Sequence, residues 1–251
     1  MRTSRPSPNG TWDVRGTIRR RLLINAVVDP GEAARRLPAG LRPHVTETGG
    51  TVVGCCLVEF DRIRPAALPT ATGIRLRAAA ARISVEWDDA SGERAVGVYV
   101  PVRHTDSRLA VALGGRWFPG VHRPARITVA GRPDAASGLT WRVDGAGPLG
   151  VRVAVTASTD RPSAAGEPIG VTCLAAELGR SPNHRGELEA ARMAPTHRRA
   201  RQVAVDDLHS GFLSGFSTAG PAPSYLVEDV GVRWSSAPAP RLDAAPALVH
   251  R

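Results

Sequence analysis

Five side chains between residues 86 and 123 offer proton-transfer and anion-holding chemistry: Glu86, His104, Arg116, His122 and Arg123. Glutamate and histidine can move protons near neutral pH, and a guanidinium can hold a carboxylate through two parallel hydrogen bonds or stabilise an enolate oxygen. Such a set, without a nucleophile or a metal, suits enolisation, dehydration or cyclisation of an acidic carbonyl compound. Val121-His122-Arg123-Pro124 is the densest cluster of polar chemistry flanked by apolar residues, so Glu86, His122 and Arg123 are the expected catalytic residues. Arg116 and His104 are expected to contact substrate. Glu59, a carboxylate inside the apolar run TVVGCCLVEFDRI, is a further substrate-contact candidate. The same residues also suit plain structural roles, Arg116 and Arg123 as ion-pair partners and His122 as a turn residue.

Other chemistries lack their motifs. There is no G-x-S-x-G elbow, and GFLSG at residues 211–215 has the wrong spacing for one. No P-loop, dinucleotide fingerprint, H-E-x-x-H or EF-hand loop is present, so no cofactor and no metal are expected. Three cysteines, two adjacent at Cys55-Cys56, form neither a disulfide framework nor a zinc pattern and read as buried thiols, which fits a cytoplasmic location. The opening residues are polar and proline-broken, unlike a signal peptide, and no apolar run approaches a membrane span.

All 33 basic residues are arginine, against 23 acids, for a net charge of +10. Arginine offers anion clamps but no amine nucleophile. The charge invites a nucleic-acid reading, but the arginines are dispersed and not interleaved with aromatics for base stacking, so nucleic acid is not the expected partner. A homo-oligomer remains open.

The elements that must position these residues are mostly strands. With 251 residues, 26 Gly and 21 Pro, the chain suits a turn-rich β fold. Residues 1–14 read as a disordered lead, 15–236 as one domain and 237–251 as a flexible tail. Strands are expected at 16–28, 50–63, 74–87, 94–102 and 224–234, with hairpins through DDASGE and DGAGP. Asp29-Pro30 should start a helix of about two turns, and Asp206 should cap another helical turn through Leu213. The alternation Ile74, Leu76, Ala78, Ala80 shifts phase to Ile83, Val85, Trp87, as a β-bulge or a bend would do. A loop is expected over 159–167, while 169–178 is compatible with strand or helix.

Several segments, in order, resemble the acetoacetate decarboxylase superfamily, and more closely its uncharacterised bacterial branch. Arg21-Leu22-Leu23-Ile24-Asn25 followed by Ala33 to Pro38 is similar to the family's opening strand, helix and proline stop. Glu86 stands where the family places its catalytic glutamate, and LAVALGGRWFPGVHR at 109–123 resembles the segment leading to its catalytic lysine. SYLVEDVGVRW at 224–234 is similar to the closing strand. The resemblance implies a mainly β (α+β) fold, a cone-like closed antiparallel β-barrel with a few short flanking helices, and an interior pocket in which Arg21 anchors a carboxylate.

The lysine itself is missing. With Gly115-Arg116 aligned to the family's G-R pair, Arg123 falls at the lysine position, and a one-residue slip puts His122 there. Neither forms an imine as a desolvated amine does. The expectation is therefore an enzyme of this superfamily working by acid/base rather than Schiff-base chemistry on a small or polyketide-like carbonyl or carboxylate substrate. The alternative is a non-catalytic binder of small organic acids on the same barrel.

Overall fold

The computed structural model describes residues 12–89, 91–132, 134–135, 138–145, 150–162, 176–197 and 199–237. Fourteen strands form one sheet: β1 (Asp13–Val28), β2 (Arg42–Pro43), β3 (Thr51–Pro65), β4 (Ile74–Asp88), β5 (Arg94–Tyr99), β6 (Arg103–Thr105) and β7 (His122–Gly131) in the first half of the chain. They are followed by β8 (Leu139–Gly145), β9 (Val151–Pro162), β10 (Leu178–Pro182), β11 (Leu188–Pro195), β12 (Arg201–Ser210), β13 (Gly220–Pro221) and β14 (Ser224–Ser236). Two short helices interrupt them, α1 (Pro30–Ala34) and α2 (Arg108–Leu113). No helix among the described residues is long and apolar enough to cross a membrane.

The sheet closes on itself twice. One ring runs β1-β3-β4-β5-β10-β11-β14 and returns to β1; the other leaves β4 through β6-β7-β8-β9-β12 and returns through β14. The rings share the wall β14-β1-β3-β4. Pairing is antiparallel except at two seams, β5 with β10 and β6 with β7. The expected closed β architecture is thus present, with a shared wall and parallel seams that sequence reasoning did not anticipate.

The shared wall explains why TVVGCCLV reads as continuous apolar sequence. Side chains alternate between the two faces of a strand, so a strand with protein on both sides needs apolar residues at every position. On β3, Val53, Cys55 and Leu57 join the larger core, while Cys56 and Val58 join the smaller one. On β4 the odd positions from Ala79 to Trp87 face the larger core. The phase shift in β4 is therefore no bulge: its register with β3 is unbroken from Leu76 to Ile83. The shift marks where the even face turns from apolar to Arg82, Ser84 and Glu86.

Other sequence expectations fare as follows. Asp29 caps α1, its Oδ1 accepting from the Glu32 amide at 2.9 Å, but the helix is shorter than expected. The strand expected over 94–102 ends at Tyr99, and Arg103 opens β6 after a break. Asp206 caps nothing, because β12 continues through it in pairing with β9; the exposed Asp206 and Asp207 are the outward side chains of an edge-like stretch. Of the loop expected over 159–167, residues 159–162 belong to β9; the remainder lies outside the described residues, as does most of 169–178. Asp13 and Val14, placed in the lead, pair with Ser235 and Trp234; residues 1–11 and 238–251 lie outside the described residues.

Candidate functional site

A cavity of about 170 Å³ lies inside the seven-strand ring. At about 30 Å³ per water, this is room for a ligand of a few heavy atoms. Ile18, Val58, Phe60, Val98 and Trp234 give it apolar walls, and the chemistry comes from Arg21, Cys56, Arg82, Arg103 and His122, with Glu177 also on the lining.

Strand register places these groups. Leu23, Cys56, Ala80, Arg103 and His122 are successive partners across β1, β3, β4, β6 and β7, so they form one rung on one face. Two residues away on the same face is the rung Arg21, Val58, Ala78; two residues the other way is Asn25, Gly54, Arg82. Same-face rungs are separated by about 7 Å, so Arg21 and Arg82 flank the Cys56–Arg103–His122 rung. Ala78, Ala80 and Gly54 leave space above the wall.

Each arginine is held by neutral groups. Arg82, 3% exposed, donates Nη2 to Asn25 Oδ1 at 2.7 Å, and Asn25 Nδ2 donates to the Pro223 carbonyl at 2.7 Å. A Cβ at Gly54 would lie 3.2 Å from Asn25 Oδ1 and 2.2 Å from the Ile24 carbonyl oxygen, so glycine keeps this reach open. Arg82 Nε and Nη1, and Arg103 Nε, are buried without a hydrogen-bond acceptor among the described residues. Arg103 Nη2 donates to Ser181 Oγ at 2.7 Å, and Gly120, at φ +87°, lets the backbone pass where a Cβ would stand 2.6 Å from Arg103 Nε. Arg21 Nε donates to Cys56 Sγ at 3.2 Å and Nη1 to Met193 Sδ at 3.8 Å. Burial pulls Arg103 down to about 10, which leaves it charged at neutral pH. No carboxylate pairs with Arg21, Arg82 or Arg103 among the described residues. Buried cations without counterions are costly, and a lumen built this way favours an anion.

His122 is neutral. Burial, and then the charge of Arg103, push its pKa down to about 3 against a smaller upward pull from the Gly120 carbonyl. That carbonyl lies 3.0 Å from Nδ1; a carbonyl oxygen only accepts, so Nδ1 carries the proton and Nε2 keeps the lone pair. Phe118 packs edge-on against the ring. Because the folded-state pKa is below the unfolded value, the unfolded chain binds a proton first as pH falls. His122 should therefore cost stability, by up to a few kcal/mol, as pH drops from about 6.5 towards 3. Denaturant titrations at pH 7 and pH 4.5 should show a smaller acid loss for His122→Asn than for the parent; equal losses would contradict this placement.

Of the residues singled out from sequence, only Arg21 and His122 share the cavity. Glu86 does not: it lies two same-face positions beyond Arg82, with Arg42 Nε at 3.5 Å and His44 Nδ1 and Arg94 Nη1 at 3.6 Å. Arg123 is exposed and lies on the face of β7 opposite His122, outside the cavity. Arg116 is exposed and donates to the Ala112 carbonyl at 2.9 Å. Glu59 is ion-paired with Arg20 at 2.8 Å and Arg77 at 3.0 Å outside the cavity. His104 is fully buried beside Gly145, where a Cβ would sit 2.8 Å from its ring. The expected convergence of Glu86, His122 and Arg123 is thus replaced by Arg21, Arg82, Arg103 and His122. Arg82 and Arg103 were missed; the available signal was an arginine directly after Ala78-Ala79-Ala80-Ala81 in a strand buried on both faces.

No family model matches the chain, and no curated protein does. Solved structures do. An acetoacetate decarboxylase-like enzyme from Sphingomonas wittichii RW1 superposes with a TM-score of 0.62 at 15% identity, over 95% of each chain. Acetoacetate decarboxylase from Legionella pneumophila gives 0.58 at 14% identity, over 100% of this chain and 94% of the other. The enduracididine biosynthesis enzyme MppR, complexed with the condensation product of pyruvate and imidazole 4-carboxaldehyde, gives 0.54 at 15% identity, over 95% and 90%. At these identities the likeness is one of fold.

Proposed function

We propose, from the acetoacetate decarboxylase-like fold of this chain and the cationic lumen inside it, that the protein is an enzyme. It acts by acid/base catalysis, without an imine, on a small carbonyl or carboxylate substrate. The observation that carries this reading is the presence of buried guanidinium donors of Arg82 and Arg103 that no described residue accepts from. A substrate carboxylate accepts from those donors, and Arg21 closes the other side. Arg103, adjacent to His122 in register, stabilises the developing enolate oxygen, a role in which a preorganised cation is worth most in a dry site. The lone pair of neutral His122 takes the proton from the carbon next to the carbonyl. An anion on Arg103 offsets the repulsion that depresses His122, so the imidazole becomes a better base when substrate is bound. MppR, which shares the fold, carries a pyruvate-derived ligand, and this lends support to a small oxo acid here.

A specific observation favours the alternative of a non-catalytic binder: in the free lumen the imidazole is held near 3, well below the range best suited to proton transfer at neutral pH. Thermal melts with a panel of short 2-oxo and 3-oxo carboxylates, followed by NMR of the same compounds in D₂O, separate the two. Saturable stabilisation with deuterium entering the α-carbon supports the enzyme, and stabilisation without exchange supports the binder. No stabilisation by any member sinks both. Glu86→Gln should leave the stabilisation unchanged, because Glu86 stands outside the lumen; its loss would return Glu86 to the site.

A further inference from the structure

Cys55 and Cys56 are chemical twins placed in opposite environments by one residue of strand alternation. Cys55 faces the larger core, with its Sγ 3.3 Å from Ser210 Oγ, and burial pushes its thiol up to about 11. Cys56 is just as enclosed, but its side chain lines the lumen. Burial raises its pKa, yet Arg21 and Arg82, then Arg103, pull it down by more, and the net direction is below the usual thiol value. Arg21 Nε already donates to its sulfur. Arg103 and His122 share its rung. Arg82, in the next rung, is 3% exposed and has two donors without an acceptor. These four and Glu177 line the cavity with Cys56, and the buried Tyr225 stands on the same rung beyond Leu23, in the same cluster. A thiolate beside cations is a strong nucleophile, and these same cations would seat an anionic electrophile against it.

We propose that Cys56 is a covalent nucleophile of this lumen, adding to the carbonyl carbon of a small oxo carboxylate held by Arg21, Arg82 and Arg103. This rests on the reading of the lumen as an oxo-acid site. In the step, the S–C bond forms as the C=O π bond breaks, and the electron pair moves to oxygen. The proton that the thiol gives up is the one the new hydroxyl carries, so nothing is oxidised or reduced and no co-reactant is needed. The product is a thiohemiketal, reversible by the same path. The adduct holds the substrate covalently but is no electron sink as an imine is, so proton transfer to His122 takes place on the free carbonyl after the S–C bond reopens.

The test compares iodoacetate with iodoacetamide on the full chain at pH 7, with tandem mass spectrometry separating the two adjacent cysteines. The cationic lumen should make iodoacetate modify Cys56 roughly tenfold faster than the neutral reagent, through local concentration of the anion, while Cys55 stays unmodified. Arg82→Met should remove that preference, and 2-oxobutyrate should protect Cys56. With 2-oxobutyrate labelled at the carbonyl carbon, the bound signal should move from the carbonyl to the tetrahedral region of the ¹³C spectrum, and Cys56→Ser should abolish that signal. Equal rates for the two reagents, or a bound carbonyl signal that does not move, overturn the proposal. If 2-oxobutyrate then still stabilises both the parent and Cys56→Ser, the covalent step alone is wrong; if it stabilises neither, the oxo-acid reading falls with it.

Discussion

Arg82→Met should produce a protein that resists denaturant better than its parent in ligand-free buffer and binds small carboxylates far more weakly. The guanidinium is 3% exposed, and its one hydrogen bond goes to a neutral amide. An unneutralised charge in such a place costs several kcal/mol. Methionine fills similar volume without the charge. The loss of the Arg82 bond leaves Asn25 Oδ1 buried without that donor, which returns about 1–3 kcal/mol. The larger effect wins, so the net change is stabilising. Binding moves the other way: losing a charged hydrogen-bond donor is worth about 1.5–3 kcal/mol, or roughly ten- to a hundredfold in affinity. A stability gain paired with a binding loss marks a site residue rather than a structural one. Equilibrium urea unfolding together with carboxylate titration reads both signs, and a variant that is less stable yet binds normally would remove Arg82 from the site.

The second large effect lies on the far side of the shared wall. Trp141, on β8 between Val129 and Val153 in register, is 1% exposed inside the larger core. Trp141→Ala should cost about 3–5 kcal/mol, because lost transfer energy and a cavity add. Trp141→Phe should cost distinctly less, since the indole Nε1 is buried without an acceptor among the described residues and phenylalanine leaves no donor to satisfy. Carboxylate affinity should be the same in both variants at temperatures where they are folded, because Trp141 belongs to the core of the other ring. Urea midpoints measure the first expectation and calorimetric titration the second. A loss of affinity in Trp141→Phe would mean that the two rings are coupled through the wall.

The β class was legible because the turn-forming residues and the apolar runs are local properties. The helix start at Asp29-Pro30 was legible for the same reason: a cap acts within three residues. The expected helix at Asp206 failed because an aspartate offers the same local signal on an exposed strand, and only the pairing of β12 with β9 decides between them. Glu86 misled because its environment depends on Arg42, 44 residues earlier, and on Arg94 across a hairpin.

By itself the sequence determined that this chain has no lysine side chain to offer for an imine, and that its basic side chains other than histidine are all arginine. The resemblance offered His122 or Arg123 at the family's lysine position. Only the tertiary structure shows that His122 lines the cavity and Arg123 does not, because alternation on β7 can be given a direction only after β6 pairs beside it and puts His122 next to Arg103. It alone picked Arg21, Arg82 and Arg103 from 33 arginines. Their convergence depends on the register of four strands, β1, β3, β4 and β6, drawn from residues 13 to 105; a slip of one residue in any pairing turns a side chain to the other face, and which strands pair is decided by the whole fold.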